Sequence, residues 1–359
     1  MRPGAKARGR VFADGLETQQ EALAVQSLML AGTAENRPKT IDDLLGPGLA
    51  AQLDRLDILS RKMLAGKLPG ERRSKRRGRS VEFDDFRQYV PGDDLRHIDW
   101  NILGRLDKLF IKLFREEEDL ALHIILDASA SMDVGSPSKL VYAARLAAAL
   151  GYIGLVNQNR VSIATFGLPA EGASSPVRQL APLRGRTNVR RLADFVLETV
   201  EASSRRTAGT ATRVPAEDFV AAMRMLGKSS TGRGVIVLVS DFLMPGDFHQ
   251  GLSYLTGSSA GTFDTMAVQV LTPGELDPAR EADSGLVGDL RLTDAETARG
   301  VEVTVSPASI AMYKAALSRH QQRLREECAR RGIAHFLVPT DTPVEKLLTT
   351  TLRRGGLLR

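Results

Sequence analysis

The sequence predicts an α/β protein, a doubly wound and mostly parallel sheet with helices on both faces. Two observations carry that prediction. From Leu120 to the end of the chain, short apolar runs alternate with segments of helical periodicity. Such alternation builds parallel strands joined by crossover helices and covered on both sides. In addition, the runs at Leu120–Leu126 and Val235–Val239 read as buried strands, and each leads into an aspartate.

The elements follow in order. Strands are expected at Leu120–Leu126, Arg160–Phe166, Val235–Val239, Thr262–Leu271 and Ala334–Val338, with a short edge strand at Val177–Leu183. Helices are expected at Leu140–Val156, Val189–Val200, up to about Leu226 after Pro215, Phe248–Leu255, Ile310–Arg330 and Val344–Leu352. Two alternating runs between residues 286 and 305 suggest a β-hairpin insert. Residues 120–359 thus form the sheet domain. Residues 1–65 form an N-terminal extension, partly helical, because Leu44, Leu45, Leu49, Leu53, Leu56 and Leu59 recur at helical spacing within Ile41–Met63. Residues 66–119 comprise a basic connector and a charged segment rich in Gly, Asp and Arg. Its Tyr89 and Trp100 are expected to be buried anchors that pack it on the sheet domain.

Composition narrows the function. The chain has 359 residues, with 43% apolar and 26% charged side chains, which suits one large or two modest soluble domains. Aromatic residues are 5%, with one tryptophan, too few for the stacking platforms of single-strand nucleic-acid binding. The single cysteine, Cys328, excludes an intramolecular disulfide and a cysteine zinc cluster. The five histidines (97, 123, 249, 320 and 335) show no metal-ligand spacing. Met1–Arg10 is basic without an apolar signal core, and no uninterrupted apolar run approaches a membrane span, so a cytoplasmic setting is expected.

In open parallel sheets, ligands bind beyond the carboxyl ends of the strands. Three candidates stand there: Asp127, Ser129 and Ser131 after the first strand, Thr187 after the edge strand, and Asp241 after the run Val235–Ser240. Carboxylates and hydroxyls are hard oxygen donors, which suit Mg²⁺ or Mn²⁺ rather than zinc. The plain alternative is helix capping, by Asp127 and the serines for the helix that follows and by Thr187 or Asn188 for the helix at Val189. Asp127-Ala-Ser129-Ala-Ser131-Met132 resembles the metal-ion-dependent adhesion site of von Willebrand factor A (vWA) domains. That resemblance implies that Thr187 and Asp241 complete a weakly bound Mg²⁺ or Mn²⁺ site, and that a partner's acidic side chain fills the open position.

A second resemblance is more specific. Gly78-Arg79-Ser80-Val81-Glu82-Phe83, followed by Arg87, Tyr89, Gly92-Asp93-Asp94, Arg96 and Ile98-Asp99-Trp100, is similar to the signature of the "domain of unknown function 58" family. Arg105, Lys112, Glu116-Glu117-Glu118-Asp119, Tyr313, Cys328 and Leu352-Arg353-Arg354-Gly355 continue it, over about residues 65–359. The upstream hydrophobic hairpin of some members is missing. The resemblance implies a non-enzymatic accessory partner of a MoxR-type AAA+ ATPase, or of its client, in chaperone-like maturation. Physically, the alternation of Glu82, Asp93, Asp94 and Asp99 with Arg79, Arg87, Arg96 and Arg105 reads as mutual ion pairing that holds an irregular loop, or as a docking surface.

Two other functions remain open and one is set aside. The run Arg72, Arg73, Lys75, Arg76, Arg77 and Arg79, in a chain of net charge +6 and isoelectric point about 9.5, offers phosphate contacts to a polyanion. It has no interleaved aromatics, so nucleic acid is disfavoured and a solvated connector is the simpler reading. A metal-assisted hydrolase at Asp127 and Asp241 is the other. Gly227-Lys228-Ser229 imitates a phosphate loop, but it follows helical residues and precedes a strand. A phosphate loop needs the opposite order, so that a helix N-terminus faces the anion.

Overall fold

The structure is a computed structural model that describes residues 37–46, 48–60, 62, 81–91, 93, 95–116, 120–168, 175–207, 216–244, 248–258, 262–279, 288–293 and 300–359. The chain divides into two compact units, residues 66–119 and the remainder.

The larger unit is built on a six-stranded sheet. Its strands are β3 (Leu120–Asp127), β4 (Arg160–Phe166), β5 (Val177–Gln179), β6 (Arg233–Ser240), β7 (Phe263–Leu271) and β10 (Ala334–Pro339). The spatial order is β10-β7-β6-β3-β4-β5, parallel except for β5. The order reverses beside β3, as in doubly wound folds, so the carboxyl ends of β3 and β6 are the natural place for a ligand. Every residue of β3 is buried, which is what a central parallel strand covered on both faces requires. The expected insert is a separate antiparallel hairpin, β8 (Gly288–Thr293) with β9 (Gly300–Val305).

Helices cover both faces. One face carries α4 (Lys139–Val156) and α5 (Val189–Thr207), packed with Val235, Val237 and Val239 of β6. On the other lie α6 (Ala216–Ser229), α7 (Phe248–Ser258) and α9 (Pro307–Arg330), packed with Ile236 and Leu238. Cys328 belongs to this second face, buried, with its thiol pushed up to about 12 by desolvation. Lys139–Val156 is long and apolar enough by composition to cross a membrane, yet it is nearly all buried inside this unit, as a core helix is. Gly227-Lys228-Ser229 closes the carboxyl end of α6, the wrong end for a phosphate loop.

The expected helix over Ile41–Met63 is corrected. It is two single turns, α1 (Ile41–Leu45) and α2 (Leu49–Leu53), separated by Gly46 at φ +74° and Gly48 at φ +87°. Glycine adopts that backbone freely, and it breaks the helix. The chain then runs extended, Ile58 bridging Leu358. Leu44, Leu45, Leu49, Leu53 and Leu56 are all buried in the same core as α4. Arg37 anchors the start of this segment, at 2.8 Å from Asp133 and 3.2 Å from the Val200 carbonyl.

The smaller unit differs from the irregular loop expected of Val81–Glu118. It is an antiparallel hairpin, β1 (Val81–Gln88) with β2 (Phe110–Glu116), with a bulge between Phe83 and Asp85. The bulge offsets the apolar alternation by one residue, which hides the strand in the sequence. The charges do pair. Arg87 meets Asp93 at 2.8 Å, and Asp93 accepts the Val90 amide. Asp99, 3.0 Å from Lys112, caps the helix α3 (Trp100–Leu106) by accepting the amides of Asn101 and Ile102. Arg96 is exposed, whereas Asp94, the side chain of Glu82 and the whole run Arg72–Arg79 lie outside the described residues.

Trp100 is the second correction. It is 66% exposed, and Tyr89 is only half-buried. Because Asp99 occupies the cap position, Trp100 becomes the first residue of α3 and its indole points into solvent. Trp100→Ala is therefore expected to change stability by no more than about 0.5 kcal/mol, the range of an ordinary surface substitution. Asp99→Ala is expected to cost about 1–2 kcal/mol through the lost cap. Chemical denaturation of the two variants checks the ranking, and a large loss for Trp100→Ala would restore the buried reading.

Candidate cation site at the carboxyl edge of the sheet

At the end of β3 the Asp127 carboxylate turns back on its own loop. Its Oδ1 accepts the Ser129 amide at 2.9 Å, and its Oδ2 accepts the Ser240 hydroxyl at 2.6 Å. The loop continues as a short 3-10 turn, Ala130–Asp133, which brings the Ser129 and Ser131 hydroxyls to 3.1 Å of each other. Gly167 after β4 makes this possible. Its φ is +84°, and a Cβ there would stand 2.6 Å from the Ser129 nitrogen. A side chain would push the loop off the sheet edge.

Asp241 follows β6, the neighbour of β3. Its Oδ1 accepts the Leu243 amide at 3.0 Å, and its Oδ2 accepts from Lys139 at 2.8 Å. Phe242, wholly buried, has φ +55°, a backbone that bulky side chains avoid. Ser240 and His320 hold it there, the first accepting its amide and the second bonded to its carbonyl at 2.8 Å. The result is a sharp turn that aims Asp241 back toward α4. Asp127 and Asp241 are each 1% exposed. Desolvation first, and the nearby charge of Asp241 second, push Asp127 up to about 6, against the hydrogen bonds from Ser240 and Ser129.

Lys139 and Glu275 belong to the same cluster and escaped the sequence reading. Lys139, 0% exposed, opens α4 and lies 2.8 Å from Asp241 and 2.5 Å from Glu275. Burial alone would lower its pKa, but the two carboxylates outweigh burial and hold the ammonium above its ordinary value. Glu275 sits in α8 (Pro273–Leu276), where its second oxygen accepts the Thr272 amide in a capping box. That Thr-x-x-Glu spacing directly after a strand was a readable signal. A lysine opening a helix was not, because most such lysines are solvated.

Thr187 does not join the cluster, which corrects the expected ligand set. The edge strand is antiparallel: Val177 pairs with Phe166 at the carboxyl end of β4, and Leu183 bridges Val161 at its amino end. The residues that follow therefore emerge at the opposite edge of the sheet. There Arg184 donates to the Gln158 carbonyl and Arg186 to the Tyr152 hydroxyl. Tyr152 is about 20 Å along α4 from Lys139. Thr187 is exposed in the 3-10 turn Arg186–Asn188. Only toward the end of α5 does the chain return to the carboxyl edge, where Ser203 reaches Asp133 at 3.4 Å. The next residues, 208–215, include Thr210 and Thr212 and lie outside the described residues.

What could the cluster hold? Among the described residues, no three His, Cys, Asp or Glu side chains are grouped to bind a metal. A cation here would rest on Asp127, the two serine hydroxyls and water, with Asp241 behind it already bonded to Lys139. The donors are all oxygen, and Asp127 is a carboxylate that a positive charge would relieve. This fits a hard, weakly held divalent ion.

A family model described as "Protein of unknown function DUF58" matches residues 85–323. The chain belongs to this family. Relatives similar in sequence include the uncharacterized proteins Rv1480 of Mycobacterium tuberculosis and Mb1516 of Mycobacterium bovis, each 28% identical over 295 residues, 82% of this chain and 80% of the relative. Among solved structures, BatB from Bacteroides thetaiotaomicron is similar at 15% identity and a TM-score of 0.37, covering 66% of this chain and 98% of that one. A von Willebrand factor type A protein from Catenulispora acidiphila is similar at 17% identity and a TM-score of 0.28, covering 58% and 43%. The fold of this DUF58 chain is an α/β doubly wound sheet, mostly parallel, with one antiparallel edge.

The shift of Asp127 has a testable sign. Its pKa in the folded chain lies above the ordinary carboxylate value, so its contribution to stability is complete at low pH and is lost as pH rises through about 6. In chelator-treated protein, Asp127→Asn is expected to remove that decline. At pH 7 it should be more stable than the wild type by about 1–3 kcal/mol. Urea denaturation across this pH window checks it, and parallel curves for the two proteins would contradict it.

Proposed function

We propose that this DUF58 chain is a non-enzymatic protein-binding module that uses a divalent cation at the carboxyl edge of its sheet. The observation that supports this reading is the convergence of Asp127, Ser129 and Ser131 beside Asp241, two buried carboxylates with a hydroxyl pair 3.1 Å apart. A Mg²⁺ or Mn²⁺ ion held there would offset the charge on Asp127 and keep open positions, because the chain offers it few anionic donors. A carboxylate from a partner protein would fill one. The ammonium of Lys139 sharpens the reading. It already neutralises Asp241 in part, so affinity for the free ion should be low and should rise when a partner adds its own negative charge.

The family resemblance supplies the partner class, a MoxR-type AAA+ ATPase or its client. The test is capture of a co-expressed MoxR-type ATPase by immobilised chain, with Mg²⁺ and with chelator. Wild type is expected to capture it only with the ion. Asp127→Ala is expected to lose capture by about tenfold or more, the worth of one charge-assisted contact, while keeping its fold by circular dichroism. Capture that ignores both the chelator and the substitution would overturn the reading.

A further inference from the structure

Glu275 is a buried carboxylate that forms no bond with the Asp127 loop among the described residues. One of its oxygens meets the Lys139 ammonium at 2.5 Å, and the other accepts the Thr272 amide at 2.7 Å. The Tyr313 hydroxyl donates to its backbone carbonyl at 2.9 Å, which fixes the turn it sits on. That turn lies against the end of the Asp127 loop. A Cβ at Gly135, where φ is +98°, would overlap the Thr272 methyl group. Glu275 is thus held beside the cation site, without being aimed into it.

Its effect is a matter of charge. Three carboxylates, Asp127, Asp241 and Glu275, stand against the one ammonium of Lys139, which leaves the cluster a formal charge of −2. All four side chains are buried, so water and salt screen them little. Two further groups at this edge add no net charge. Asp133 is paired with Arg37 at 2.8 Å. His320, bonded to the Phe242 carbonyl, has its pKa lowered by burial and stays neutral.

We propose that Lys139 and Glu275 set the charge of the cation that this edge accepts, an inference that rests on the cation reading given above. Both act through their charge on Asp241 and Asp127, and neither touches the ion. Three carboxylates alone would favour a trivalent ion. Lys139 removes one unit of negative charge and matches the cluster to a divalent ion. Glu275 keeps Lys139 from removing too much. Without it the formal charge would be −1, and Asp241 would hold the ammonium alone.

Coulomb's law supplies a signature that a merely structural role lacks. A change of charge at a fixed position alters binding in proportion to the ion's own charge. A trivalent ion therefore responds half again as strongly as a divalent one on a logarithmic scale. Loosening of the loop weakens both ions by the same factor. Each ion is compared with itself across variants, so differences in size and hydration cancel.

Titration of the full chain with Mn²⁺ and with Tb³⁺ tests this, the first read by water-proton relaxation and the second by terbium luminescence. The signal lost in Asp127→Ala is the one that belongs to the site. Glu275→Gln is expected to weaken Mn²⁺ about tenfold and Tb³⁺ about thirtyfold. Lys139→Met is expected to strengthen both ions, Tb³⁺ by the larger factor. Should Lys139→Met fail to fold by circular dichroism, the two factors for Glu275→Gln decide alone. Unchanged affinities in Glu275→Gln, or an equal factor for the two ions, would overturn the proposal and leave the cation reading standing. No Asp127-dependent binding of either ion, to the wild type or to any folded variant, would overturn both.

Discussion

The Lys139 ammonium, fully removed from water, joins three parts of the chain that are far apart in sequence. It opens α4 directly after the Asp127 loop, and it meets Asp241 from the end of β6 and Glu275 from the turn after β7. Removing a charge from water costs several kcal/mol, and only good partners offset that cost. Here both partners are themselves buried and anchored. Asp241 accepts the Leu243 amide and Glu275 the Thr272 amide. The carboxyl ends of β3, β6 and β7 are thereby held in one arrangement. The Asp127 loop rests against that arrangement through Ser240, which bridges the two strand ends by donating to Asp127.

This explains why the site is both rigid and electrostatically incomplete. Asp241 is neutralised from within, whereas among the described residues Asp127 is held by neutral donors, and burial and the charge of Asp241 raise its pKa. A protein that needed a permanent structural ion would surround it with more carboxylates. Under the proposed function, this asymmetry would suit a reversibly bound ion.

Much of this was legible in the sequence. The apolar runs that become β3 and β6 are buried on both faces, so their periodicity is plain and their terminal aspartates stand out. The direction of β5 was not legible. Its three residues look alike read either way, and only pairing shows that the chain returns to the amino edge, which removes Thr187 from the site. Lys139 was hidden because burial of a lysine depends on partners 102 and 136 residues away. In the signature segment the strand pairing was masked by a bulge, and Trp100 misled because a lone tryptophan is usually an anchor. Asp99, as a cap, decides instead which way that residue faces.

The central claim is that the Lys139 ammonium holds the strand-end carboxylates together, and chemical denaturation of Lys139→Met tests it most directly. Methionine keeps most of the volume and removes the charge, leaving Asp241 and Glu275 without their cation. The expected loss is about 3–5 kcal/mol, the cost of breaking a buried pair from one side. Adding Asp241→Asn and Glu275→Gln to the same chain should recover much of it, because the uncompensated charges are then gone. A Lys139→Met variant as stable as the wild type would contradict the account.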